Sequence, residues 1–317
     1  MRKIYLLILI SFFFLNCKEK AEFNTDLNPT YSDFENDREQ RNLFGKVKEL
    51  EQYKAIFQNG KDTREPLPTL KEKFTEFGSL FKTEYFDNYG EITQIDQFHY
   101  DSNNFLIKSI SENHLAKQKT IQLISYDSIN KTTTRNITIN DSLNYKFIST
   151  FDSNDLIIKQ IKIEAKDTVV RSYEYKLNSN NKRILEKEFE EGKELSIGTY
   201  KYDDENQLIE YSNKYEWMEL LTETEWENNR ILKQIDYTIS ADSNKHLDRV
   251  TEYDKQFNPV NEKIYEKSEL NRELEYDYEF DQFGNWIKRT VKMKEHFANA
   301  DKFIPIYIES REIKYWK

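Results

Sequence analysis

Tyr276-Asp277-Tyr278-Glu279-Phe280-Asp281-Gln282-Phe283-Gly284-Asn285-Trp286-Ile287-Lys288-Arg289 decides how the rest of this 317-residue chain is read. Tyr276, Tyr278 and Phe280 alternate with Asp277 and Glu279, the pattern of a half-buried antiparallel strand. Asp281 opens a turn, where a carboxylate can accept a backbone N–H two residues on. Gly284 supplies the left-handed residue that a short hairpin needs before the chain returns. Trp286-Ile287 then begins a return strand.

Weaker copies of this unit run back through the chain. Aromatic-Asp pairs start copies at Phe86, Tyr100, Tyr126, Phe151, Tyr202, Tyr253 and Phe280, with degenerate versions at Tyr175–Asn181 and Trp226-Glu227-Asn228-Asn229. After a first step of 14 residues, the spacing settles in the mid-twenties, which signals a repeat architecture. The fifth position is an independent test, because the search was made on the first two. It holds Gly90, Asn104, Asn130, Asp155, Asn206 and Gly284, all tolerant of left-handed backbone, and fails only at Phe257. Return strands open on apolar pairs: Leu106-Ile107, Ile157-Ile158, Leu208-Ile209, Trp286-Ile287. Leu43–Phe57 also reads as strand, Pro66 and Pro68 mark a loop, and Phe303–Trp316 supplies a last strand pair or cap. The expected fold is all-β, a meander of about twenty strands. A twisted open sheet of that size curls or splits, so the expectation is a curled or rolled sheet with the aromatics on its inner face.

Composition agrees with a folded body. Only 37% of residues are hydrophobic, but 15% are aromatic, so rings carry the burial and disorder is excluded. Arg2 and Lys3 precede an apolar run, Ile4–Leu15, too short to span a bilayer. The run ends at Cys17, the sole cysteine. This resembles a bacterial lipoprotein signal with Cys17 as the acylated residue, although Asn16 stands where a small residue is usual. A secretory signal followed by a leftover thiol is the alternative. The expected division is a signal peptide over 1–16, acylated Cys17 and a tether over 17–40, and a repeat domain over 41–317. A short helix within Tyr31–Asn42 is compatible with the tether. Removing the signal takes the formal net charge from −10 to −12, which gives no footing for nucleic acid or an anionic lipid surface. Membrane attachment therefore falls to the lipid.

Units of the form Tyr-Asp-x-x-Gly/Asn-x-Leu/Trp-Ile-x-Lys/Arg resemble YD repeats of Rhs-type and wall-associated proteins. They are most similar to the shorter Bacteroidetes lipoproteins built from such units. The resemblance covers roughly residues 80–292 and implies a β-repeat fold with no catalytic residues to transfer. The toxin-enclosing shell of Rhs proteins is not implied, since the repeats are too few. Lys18-Glu19-Lys20 weakly resembles charged signals that send such lipoproteins to the cell surface.

Candidate chemistry is sparse. His99, His114, His246 and His296 share no metal-ligand spacing. Asp152–Asp155 and Asp203–Asn206 are rich in oxygen ligands, but turn chemistry accounts for them without calcium. No catalytic residue, cofactor or metal ligand is assigned. Trp217 and Trp226 are candidate rim aromatics. Ser128, Ser142 and Thr168 sit in Asp-Ser/Thr-apolar triplets that resemble the Bacteroidetes O-glycosylation sequon. The expected function is a lipid-anchored scaffold or binding protein of the cell envelope, on the outer membrane, with a protein or glycan partner. Alternatives are a carrier or chaperone with an apolar cavity for lipid or polypeptide, and a hydrolase of envelope glycans.

Overall fold

The computed structural model describes residues 37–317, apart from 59–60, 63–64, 165–166 and 297–301. After a single helical turn, α1 (Asp37–Gln40), everything regular is strand. The first seven are β1 (Val47–Gln58), the two-residue β2 (Lys61–Asp62), β3 (Leu67–Phe74), β4 (Leu80–Phe86), β5 (Ile92–Tyr100), β6 (Leu106–Asn113) and β7 (Gln118–Asp127). Then follow β8 (Thr132–Ile139), β9 (Leu143–Phe151), β10 (Ile157–Glu164), β11 (Asp167–Leu177), β12 (Arg183–Glu190), β13 (Lys193–Tyr202) and β14 (Leu208–Tyr215). The last seven are β15 (Met218–Glu227), β16 (Arg230–Ser240), β17 (Lys245–Tyr253), β18 (Pro259–Glu266), β19 (Glu269–Phe280), β20 (Trp286–Glu295) and β21 (Ile304–Tyr315).

From β3 onward each strand pairs antiparallel with the next. β1 pairs with β3 on one side and with β21 on the other, in register from Val47↔Tyr315 to Ile56↔Tyr307. The meander expected from sequence is therefore present, but the expected open, curled sheet is not. Setting β2 aside, the described strands form a closed twenty-stranded barrel. Closure removes both sheet edges, which would otherwise expose two rows of unpaired backbone groups. The C-terminal stretch is one closing strand rather than a strand pair or cap.

Closure also explains how the repeat is used. Its turns line one end of the barrel, here called the repeat end. At Asp101, Asp152, Asn178, Asp203, Asp254 and Asp281 the same bonds recur: the side-chain oxygen accepts the N–H groups two and four residues on. The residue three positions after the Asp or Asn is left-handed each time. Phe257 is left-handed too, at φ 62°, so the one apparent exception keeps the backbone and bears the strain. The turn after Asp127 does deviate. There Lys131, not Asn130, is left-handed.

Two repeat copies needed the structure to be placed. The Phe86-Asp87 turn lies one strand out of phase, at the opposite or far end, which accounts for the short first step of 14. The in-phase copy is Phe74–Ser79, where Thr75 replaces Asp. Its backbone N–H donates to the Ser79 carbonyl and its Oγ1 accepts the Ser79 N–H at 3.1 Å.

Eight of the nine hairpins at the repeat end carry a one-residue bulge in the return strand. The unpaired residues are Phe81, Ile107, Ile158, Ile184, Ile209, Leu232, Val260 and Ile287. The apolar pair seen in sequence is thus a bulge signature, and the ninth hairpin, which opens on Thr132-Thr133, has none. A bulge bends its strand and increases its twist, and repeated around the ring it curves a sheet toward closure.

A bulge also leaves backbone groups unpaired, and an aromatic of the next hairpin reaches one of them. Tyr100 Oη donates to the Leu80 carbonyl (2.7 Å), Tyr126 Oη to Leu106 (2.9 Å), Tyr175 Oη to Ile157 (2.8 Å), Trp226 Nε1 to Leu208 (2.8 Å) and Tyr278 Oη to Pro259 (2.8 Å). Each acceptor immediately precedes the bulged residue. In these five places the polar tip of the aromatic staples a unit to its predecessor, in keeping with a nearest-neighbour repeat.

Few side chains are fully buried. Leu43, Val47, Leu50, Phe74 and Leu80 form a compact cluster where the N-terminal segment meets the closing seam. α1 and the residues after it fasten to several turns of the repeat end. Asp37 accepts the Leu80 N–H (2.6 Å), Arg38 donates to the Glu76 carbonyl (2.9 Å), Asn42 to the Gln256 carbonyl, and Asn285 exchanges bonds with both backbone groups of Phe44. A circular barrel of twenty strands would be about 40 Å across between backbones, from a strand spacing of about 4.8 Å and a tilt of about 40°. The interstrand ring contacts and side-chain bonds described below join neighbouring strands.

Candidate inner-wall binding surface

The two faces of the barrel wall differ in chemistry. On β19, Tyr276 and Tyr278 point one way, and Asp277 and Glu279 the other. Asp277 and Glu279 are 63% and 62% exposed, whereas Arg289 and Glu309, on the tyrosine face of β20 and β21, are 22% and 10% exposed. Side chains on the concave side of a closed sheet converge and cover one another, while those on the convex side splay apart. The tyrosine face is therefore the inner wall. The outer wall carries ladders such as Lys201–Glu210 (2.6 Å), Lys233–Glu225 (3.1 Å) and Lys288–Glu279 (2.7 Å), each contributing little to stability in water.

Across β11–β14 the inner wall is a continuous aromatic and ionic surface. Arg183 bonds Glu186 at 2.9 Å and lies over the rings of Tyr175 and Tyr200. Tyr200 donates to the same carboxylate at 2.9 Å, and its ring meets Tyr211 at 4.9 Å. Arg171 donates to Glu188 (2.9 Å) and Glu190 (3.0 Å). Burial first, then the facing glutamates, pushes Tyr173 and Tyr211 up to about 12 and Tyr200 higher still. These phenols stay protonated and able to donate at any physiological pH.

The surface continues toward the seam. Thr222 donates to Asp236 (2.8 Å), whose carboxyl burial holds above the ordinary range. Glu262 accepts from Tyr276 (2.7 Å) and pairs with Arg249 (3.2 Å). Arg289 Nε bonds Glu309 at 2.8 Å, and its guanidinium carbon lies 4.9 Å from the Trp286 ring centre. Arg311 lies 3.5 Å from that same centre and donates to Gln52 Oε1 at 3.1 Å. Burial, with Arg289 alongside, pushes Arg311 down to about 9. Rings held beside fixed donors and acceptors suit a polar ligand that also has a flat or apolar face.

The residues singled out from sequence are not brought together. Cys17 lies outside the described residues. Ser128 is exposed in a turn at the repeat end. Ser142 is exposed in a turn at the far end, beside an open depression of about 450 Å³ that also includes Tyr145 and Lys146. Thr168 is exposed at the start of β11, in strand rather than in a loop. Trp217 is exposed at the far end, whereas Trp226 is one of the staples. His296 Nε2 lies 3.5 Å from Glu273, and the described residues contain no group of three metal-ligating side chains close enough to hold an ion. Asp152 and Asp203 each use Oδ1 to accept two turn N–H groups.

The arginine and glutamate partners of the tyrosines escaped the sequence reading. Their signal was the basic residue that closes the repeat pattern: Arg289, three after Trp286, pairs opposite Tyr278. Pairing, not spacing, tells which such residues face inward.

A family profile described as an uncharacterised protein matches residues 89–209. No curated protein matches in sequence. Among solved structures, a porin-like protein from Bacteroides uniformis is similar at 12% identity and a TM-score of 0.35, over 84% of this chain and 98% of that one. TcdB2-TccC3 without its hypervariable C-terminal region is similar at 11% identity and a TM-score of 0.26. That match covers 81% of this chain and 16% of the other.

Proposed function

We propose that this chain is a lipid-anchored binding module of the cell envelope, built from YD-type repeats, that holds a polar polymer such as a glycan against its inner wall. One observation carries the reading: the inner wall of a closed barrel is lined by Tyr, Trp, Arg and carboxylates already fixed by one another. A pre-arranged surface of that kind loses little conformational freedom on binding. It gives a lipid tail no continuous apolar lining, which weighs against lipid carriage. The outer wall supports a water-facing barrel, because a lipid-facing band must be apolar for about 25 Å, and here the ion pairs Lys292–Asp277 and Lys263–Glu273 lie along the strands away from the turns. Attachment then rests on acylated Cys17.

Affinity electrophoresis through gels containing acidic or neutral polysaccharides tests the binding. Retardation by at least one polysaccharide, lost in the Tyr200→Ala/Tyr276→Ala double variant with its fold intact by circular dichroism, is expected. Unretarded migration in every gel would end the glycan reading. Cys17→Ser is expected to move the protein from the membrane to the soluble fraction, and unchanged fractionation would end the anchoring reading.

A further inference from the structure

Three arginines meet three carboxylates beside the closing seam. Arg41 takes Glu72 at 2.7 Å and Asp37 at 3.8 Å, and Arg289 takes Glu309. Arg311 has no carboxylate within 4.0 Å among the described residues, and its one hydrogen bond goes to the neutral Gln52. Its two Nη groups bond nothing among the described residues and are not among the polar atoms sealed from solvent. Glu72 and Glu309 act on Arg311 through space, but neither contacts it, so its guanidinium has no direct counter-ion among the described residues. A guanidinium set into a wall without a counter-charge is costly, and this one is braced from two sides, by the Trp286 ring and by Gln52. Bracing fixes the direction of its free edge.

We infer that Arg311, with Arg289 beside it and Trp286 beneath, forms an oxyanion site that takes the carboxylate, sulfate or phosphate group of a bound ligand. A guanidinium presents two parallel N–H groups that match two oxygens of such a group. Arg289 is held by Glu309 and supplies field rather than direct bonds. Trp286, mostly covered, offers its ring edge to the body of the ligand. The inference deepens the glycan reading by assigning that ligand an acidic substituent, but the site's affinity for small anions can be measured without any glycan.

Isothermal titration at low ionic strength with glucuronate, sodium sulfate and inorganic phosphate tests it, with glucose as the neutral control. Binding of at least one anion at one site per chain is expected, and the arm that gives it names the substituent. Arg311→Gln should weaken it about 10- to 100-fold, the equivalent of losing a charged hydrogen-bond pair. Arg311→Lys should weaken it less, keeping charge but losing the fork. Arg311→Gln should also melt no lower than the natural protein, since an unpaired inset charge has gone. That separates a binding role from a structural one, for which the melting temperature would fall. Undiminished anion binding by Arg311→Gln, or no anion binding by the natural protein, would overturn the site. Retention in neutral polysaccharide gels would survive either result, so failure of the site and failure of the glycan reading are distinguishable.

Discussion

The two ends of the barrel solve the same problem, reversing the chain, in different ways. At the far end several hairpins close with two consecutive left-handed residues: Asn140-Asp141, Glu191-Gly192 and Lys267-Ser268. Such turns match the twist of their strands and need little else. At the repeat end most hairpins fold a longer turn around one Asp or Asn side chain with a bulge after it, and an aromatic of the next unit caps several of these bulges; Asn228-Asn229 is the two-residue left-handed exception. Neighbouring turns there also touch, through Ser79–Asn104 (2.9 Å), Lys131–Asp155 (3.1 Å) and Asn180–Asn206 (2.5 Å). The N-terminal segment fastens to this end as well. A periodic sequence therefore marks the end where turn, bulge and neighbour must agree, while far-end turns reach their neighbours through varied bonds such as Lys119 N–H to Asn140 and Leu247 N–H to Ser268 Oγ.

Breaking the repeat end where it meets the seam should have the largest effect. Asn285 is buried, accepts the Phe44 N–H at 2.6 Å, and donates to the Phe44 carbonyl and Tyr315 Oη at 2.8 Å each. Asn285→Ala is expected to cost about 3 kcal/mol, because it orphans several groups that water does not reach. Urea unfolding measures this, and a loss below 1 kcal/mol would mean that the N-terminal segment does not hold the seam.

Next comes a matched pair of aspartates. Asp203→Ala removes two turn bonds at the repeat end and should cost about 2 kcal/mol, whereas Asp242→Ala in an exposed far-end turn should cost under about 1 kcal/mol. Equal losses would erase the contrast between the ends. Tyr126→Phe deletes the staple to Leu106 and should cost about 1 kcal/mol. A value near zero would show that water caps the bulge as well as tyrosine does.

The smallest change runs the other way. Lys267→Asn places a preferred residue on a left-handed pair while keeping Ser268, whose Oγ accepts the Leu247 N–H at 3.0 Å, and a gain of about 0.5 kcal/mol is expected. Heat-denaturation midpoints would register it as a rise, and a fall would mean that the Lys267 side chain has a role of its own.

Much of this was legible in the residues. Strand identity followed from period-two alternation, and the turns from Asp, Asn and Gly at fixed offsets, because those residues act through bonds only a few positions away. Even misfits held information. Phe257 takes the left-handed backbone because Asp254 and Asn258 shape the turn around it. The Phe74–Ser79 copy was hidden because Thr75 makes one of the Asp bonds with a different atom.

What local pattern by itself determined, then, is the strand and the turn. Whether the strands form an open roll or a closed barrel depends on Val47 meeting Tyr315, a pairing between the two ends of the chain that no periodicity encodes. The same closure decided which face became the inner wall, and so which arginines and glutamates met the tyrosines. It also left Arg311 without a carboxylate, since its neighbour across the seam proved to be Gln52, some 260 positions away in sequence.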